Sequence, residues 1–219
     1  MARRLAAAVV VAGFLVAPAS AARVTPERRA ITPHDHWQAK RANLRLADVP
    51  AGLRVVANLT HPFGPPLACK GFHPDLSDLT VTGEVASPVY GRAGLAVFSM
   101  VQIFRNVHDE RADWARTHTR PALACGAKEM AQTRTTPKVV IKSYAALRAP
   151  RLGDRAVLYR FTGVVSTGGQ RLKMWTDLAS VARGRAEATL SYVSYGHVPS
   201  AKVERALLAK LERRLRAVH

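Results

Sequence analysis

The chain has 219 residues, 48% of them apolar, and carries 33 Lys and Arg against 15 Asp and Glu, a formal charge of +18 at pH 7. One apolar run, at the N-terminus, is the only stretch of its kind, which excludes an integral membrane protein with several spans. The charge favours anionic partners through long-range steering, although a surface kept charged for solubility has the same composition.

Met1-Ala2-Arg3-Arg4 is basic, residues 5–17 carry no charge, and Ala19-Ser20-Ala21 is a small-x-small site. This three-part pattern predicts a secretory signal peptide over residues 1–21, cut after Ala21. The apolar run is shorter than the roughly 20 residues that span a bilayer; an uncleaved N-terminal anchor is the alternative. Cleavage removes Arg3 and Arg4 and leaves +16. No Cys lies near the cut, which disfavours a lipid anchor. Secretion sets nucleic acid aside as a partner and leaves an anionic envelope polymer, a lipid or an acidic protein. Two cysteines, Cys69 and Cys125, are expected to form one disulfide in an exported chain, with two buried thiols as the alternative. Closing so long a loop stabilises by about 4 kcal/mol in the chain-entropy model. Neither cysteine sits in a nucleophile motif.

Residues 22–46 are polar and basic and read as an N-terminal arm with one short helix near 35–45. His34 and His36 would share one side of an extended strand and supply two metal ligands, with His61 or His73 needed as a third. Nothing else has ligand spacing, so the arm is read as solvated, and neither metal nor cofactor is expected. Residues 47–219 read as a single α+β domain. A turn at Ala51-Gly52 leads into Arg54-Val55-Val56. Residues 61–78, rich in Pro and Gly, read as a loop tethered by Cys69. Residues 78–85 alternate as a half-exposed strand, and Ser87-Pro88 with Gly91 reads as a loop. Residues 95–104 are apolar on both parities, which predicts a central strand covered from two sides.

Asn106 is a good N-cap, and Asp109 and Glu110 suit a helix start. The helix is expected over 107–128, with Trp114, His118 and Leu123 inward and a kink at Pro121. Residues 139–147 read as a strand. After Leu152-Gly153-Asp154, three strand-like runs (155–165, 171–181 and 186–195) are joined by Gly-rich turns, an antiparallel meander. Pro199 opens a last helix, with Val203, Leu207, Leu211, Leu215 and Val218 at helical spacing. The fold class is thus an antiparallel sheet of about six strands, with a helix after the central strand and another at the C-terminus.

No G-x-S-x-G, H-E-x-x-H, Walker loop or strand-associated G-x-G-x-x-G is present. Asp177 and Glu187 fall on adjacent strands, from which a carboxylate pair for glycoside hydrolysis can be drawn; ordinary ion pairing is the alternative. Lys173, Trp175 and Asp177 share one parity, and Arg160 comes from the neighbouring strand. An aromatic flanked by opposite charges makes these four the candidate ligand-binding residues. The alternative buries Trp175 under a helix or loop.

Asp48-Val49-Pro50-Ala51-Gly52, the strand near 78–85, the helix ending at Cys125 and the Pro150-Arg151-Leu152-Gly153-Asp154 turn together resemble small exported proteins of actinobacteria. Among these are LpqN-type and sensor-domain-like chains, with the PsbP-like α/β/α sandwich as the nearest fold. The resemblance implies a sheet between helices and a binding, sensing or adaptor role in the envelope more than catalysis. It carries over no functional residue. A non-enzymatic binding protein is therefore the first expectation; a secreted hydrolase and a carrier of a small apolar ligand are the alternatives.

Overall fold

The computed structural model describes residues 25–59, 67–132, 138–167 and 170–218. The expected signal peptide and His61 lie outside them. In chain order come β1 (Arg28–Arg29), α1 (Pro33–Ala42), a 3-10 turn (Leu46–Asp48), β2 (Arg54–Ala57), β3 (Thr80–Ala86), β4 (Val89–Arg92) and β5 (Leu95–Phe104). Then follow α2 (Val107–Thr117), α3 (Arg120–Gln132), β6 (Lys138–Leu147), β7 (Arg155–Thr167), β8 (Gln170–Arg183), β9 (Ala186–Tyr195) and α4 (Ala201–Leu215). No described helix is long and apolar enough to cross a membrane.

The strands form one mixed sheet in the order β1-β3-β5-β9-β8-β7-β6, with β4 pairing both β2 and β5. Among the described residues it has nine strands, not six. The expected loop at Val89–Arg92 is a strand, because β3 and β4 follow one another along the same edge of β5: Ala86 lies opposite Met100 and Tyr90 opposite Val97. β1 runs parallel to β3, its pairing set by Arg28 N donating to Leu79 O at 2.9 Å. Two residues leave no periodicity to read. β5 is central, as its sequence predicts, with β9 antiparallel on its other side.

One face of the sheet is covered by α1 and α4. Val97, Val101 and Ile103 of β5, Ala188 and Leu190 of β9, and Val181 of β8 pack against Ala39 and Ala42 of α1 and Leu207, Leu208, Leu211 and Leu215 of α4. α4 buries the stripe its spacing predicts, and Ser200 caps its start through Val203 N. The opposite face is covered by α2 and α3 and is less apolar. There Leu123, Ala127 and Met130 meet Phe161, but Phe98, Met100 and Gln102 are only half-buried.

Two expectations are corrected by what the helices touch. Residues 28–42 form no solvated arm: α1 lies on β3, so close at Gly83 that a Cβ there would sit 2.5 Å from the backbone of Asp35. Asp35 is buried and accepts from Arg185 Nη1 and Nη2 at 2.8 and 2.7 Å and from Thr82 Oγ1. In a helix, His34 and His36 point about 200° apart, so they do not share a side. The second helix does not kink at Pro121. It breaks at His118 and Thr119, and Pro121 stands in the first turn of α3, where its missing N–H is no loss.

Cys69 and Cys125 are bonded, with Cα atoms 5.8 Å apart. The bond ties the stretch before β3 to α3. Replacing both cysteines by Ser is expected to lower unfolding free energy by about 4 kcal/mol. Denaturant titration of the oxidised chain against the double variant measures it, and an unchanged midpoint would show that the bond adds no stability.

Candidate functional site

On the α4 face of the sheet the meander sets Lys173, Trp175 and Asp177 in a row along β8, with Arg160 of β7 directly opposite Asp177. Arg160 grips Asp177 through Nε and Nη2 at 2.7 and 2.6 Å, and the Asp177 side chain is wholly buried. Lys173 Nζ lies 4.9 Å from the centre of the Trp175 ring. Trp175 itself is buried, so its indole offers no open stacking surface. The structure thus brings the four residues onto one face but engages them with one another in two pairs.

Asp177 and Glu187 do not come together. Asp177 stands opposite Tyr192 in the β8–β9 register and Glu187 opposite Ala182. The two carboxylates are an odd number of residues apart on that ladder and point to opposite faces of the sheet. A glycosidase pair drawn from these positions cannot share a pocket.

Beside the Arg160–Asp177 pair lies an open pocket of about 530 Å³. Leu158 and Ala179, the next cross-strand pair on this face, form its floor, and Leu208 of α4 one wall. Arg148 and Arg151 from the turn before β7, and Arg205 of α4, surround the mouth. All three are exposed, and none has a carboxylate partner among the described residues. Glu204 also lines this pocket; it is 4% exposed, and its Oε1 is buried without a hydrogen-bond partner. Burial, then the Asp177 charge, push its carboxyl up to about 7. Sequence reading missed it, although a signal existed: Glu204 occupies the apolar stripe of α4, three and four residues before Leu207 and Leu208.

The face under α2 holds a second polar group. α2 turns Asp109, Glu110 and Asp113 inward rather than apolar residues. Asp109 accepts from Thr80 N at 3.1 Å, and Glu110 pairs with Arg155 of β7. Arg155 also stacks on Trp114, and Trp114 on His118, with ring centres 4.0 Å apart. His118 Nε2 is 3.4 Å from Glu187 Oε1, while its Nδ1 is 3.1 Å from Thr117 Oγ1. Burial pushes Glu187 well up, with the Asp113 and Glu110 charges adding to it, and lowers His118 to about 4. Both shifts favour the neutral forms, so the contact is a close approach of two groups held neutral by burial rather than a salt bridge. Asp113 and Glu110 are each pushed up to about 7, chiefly by burial. Sequence reading placed His118 inward but read it as a tolerated helix residue.

Among the described residues no group of three or more His, Cys, Asp or Glu is placed to hold a metal. No family model matches the chain, and no curated protein matches it.

Two outcomes follow from these geometries. Arg160→Ala leaves the buried Asp177 carboxylate without its cation and is expected to cost about 3–5 kcal/mol in denaturant unfolding; Arg160→Met with Asp177→Leu should cost much less. Glu187 has a folded pKa above its unfolded value of 4.5, so the folded chain keeps a proton that the unfolded chain releases. Its contribution is neutral below that value, becomes increasingly destabilising as pH rises from there towards the folded pKa, and is constant above it. Glu187→Gln should match the parent near pH 5 and melt higher than it near pH 8. Melting curves that stay parallel across that range would show that Glu187 is ionised in the fold.

Proposed function

We propose that this chain is an exported, non-enzymatic binding protein of the cell envelope, and that the pocket between α4 and the meander holds an anionic group of its ligand. One observation carries the reading. Three arginines without carboxylate partners among the described residues surround one pocket, which the buried Glu204 also lines. Arginine forks suit phosphate or carboxylate oxygens. A phosphorylated or carboxylated polyol of an envelope polymer supplies such an anion. A disulfide, a high positive charge and an N-terminal pattern of basic, apolar and small residues support export. An antiparallel meander, α2 directly after β5 and a C-terminal α4 support kinship with the LpqN-type, PsbP-like sandwich. The charged mouth favours this reading over a carrier of an apolar ligand.

Calorimetric titration of the full chain with a glycerol phosphate oligomer at low salt tests it. Binding is expected, weakening as salt is raised. Arg151→Ala and Arg205→Ala should each lower the affinity about ten-fold, the loss of one charge-assisted hydrogen bond. Absence of binding at low salt, or equal affinity of both variants and the parent, would refute the assignment.

A further inference from the structure

A second surface lies on α1, remote from the pocket in sequence and formed by other elements. The buried side of α1 is Asp35, Gln38, Ala39 and Ala42. Trp37 falls between these positions and turns outward, 51% exposed, and Leu46 just beyond the helix is 49% exposed. Both line a groove of about 520 Å³ whose other apolar walls are Val85, Pro88 and Tyr90. Lys40, Arg41 and Arg45 stand among the same lining residues, and all three are exposed. The Arg41 guanidinium lies 4.6 Å from the centre of the Trp37 ring. No Asp or Glu is among the described residues that line the groove.

An open apolar groove containing a large indole is unusual on a chain with this much charge available to cover its surface. Its occupant must accept an indole and an aliphatic side chain while offering negative charge to three cations. A second copy of the chain fails that requirement, because it brings Lys40, Arg41 and Arg45 against their like. A wall polymer supplies charge but no apolar layer. An anionic bilayer surface supplies both: indoles settle at the headgroup level, and basic side chains beside them are attracted to acidic lipids.

We propose that the Trp37 face of α1 docks on anionic lipid bilayers, with Trp37 and Leu46 entering the headgroup layer and Lys40, Arg41 and Arg45 contacting lipid phosphates. The contact is peripheral and independent of the arginine pocket.

The full chain and its variants are sedimented with sucrose-loaded vesicles, either phosphatidylcholine alone or phosphatidylcholine with phosphatidylglycerol. All carry the same N-terminus, so differences between them report α1. The parent should partition onto the phosphatidylglycerol vesicles and little onto the others. Trp37→Ala should lower the partition coefficient roughly ten-fold, and Lys40→Glu with Arg45→Glu by more, since each cation contributes about five-fold. Lys128→Glu with Lys142→Glu makes the same charge change at exposed sites on α3 and β6 and should have a much smaller effect. Vesicle binding should also shift tryptophan emission to the blue in the parent, and Trp37→Phe should abolish that shift. Circular dichroism confirms that each variant is folded; Trp37 is exposed, so its replacement leaves the core intact. Equal partition of Trp37→Ala and the parent would overturn the proposal. So would equal losses from the two charge-reversed pairs, or vesicle binding that depends on Arg151 and Arg205 but not on Trp37.

Discussion

Buried carboxylates held by arginine are the interaction on which the assembly of this fold depends. Acids are scarce in the chain, 15 against 33 Lys and Arg, and the structure spends many of them inside. α1 is held to the sheet by Asp35 against Arg185. α2 presents Asp109 and Glu110 to backbone and to Arg155. α4 sets Glu212 against Arg183, and its own Arg214 binds Asp48 at 2.8 Å. Such pairs gain little over a well-packed apolar contact, because desolvation offsets most of the attraction. They do penalise misplacement: a helix shifted by one turn would leave a charge buried without its counter-ion. The apolar stripe of α4 fixes that it packs, and the ion pairs fix where.

The two faces of the sheet use acids differently. Under α1 and α4 the carboxylates have strong cationic partners, and Asp35 is held below its ordinary range by the Arg185 hydrogen bonds. Under α2 the acids outnumber the cations near them. Glu110 pairs with Arg155, Asp113 has among the described residues only Thr117 as a side-chain hydrogen-bond donor, and Glu187 accepts from Thr189 beside a His118 that burial keeps neutral. Protonation then takes the place of ion pairing, which explains why three carboxyls there are pushed upward together. Glu204 is the exception on the first face: α4 carries it over Asp177, whose charge Arg160 already balances, and burial with the Asp177 charge pushes its carboxyl up.

These arrangements also decide what was legible in the sequence. Strands β5, β7, β8 and β9 were readable because apolar alternation and Gly turns are local signals. The shared face of Arg160, Lys173, Trp175 and Asp177 followed from strand parity and cross-strand order. α1 as a docked helix was not readable, because its anchor Asp35 lies 150 residues from Arg185, and hydrophobic periodicity counts an aspartate as exposed. The acidic inner side of α2 was hidden for the same reason. The arginine pocket joins a turn, two strands and a helix, and its residues are ordinary surface types until that packing sets them around Glu204.

The Asp35–Arg185 contact and the β5–β9 pairing have a consequence for the order in which the protein forms. Both join the first half of the chain to its last quarter. As the chain emerges from the ribosome, α1 has no anchor and the most apolar strand has one bare edge until the β8–β9 turn has been made. Loop closures of this span are slow compared with helix or hairpin formation. The nascent protein therefore passes through a stage in which a strand edge rich in Val, Phe and Ile is unpaired, and such edges recruit chaperones or one another. The last strand to be synthesised is the one that ends that exposure.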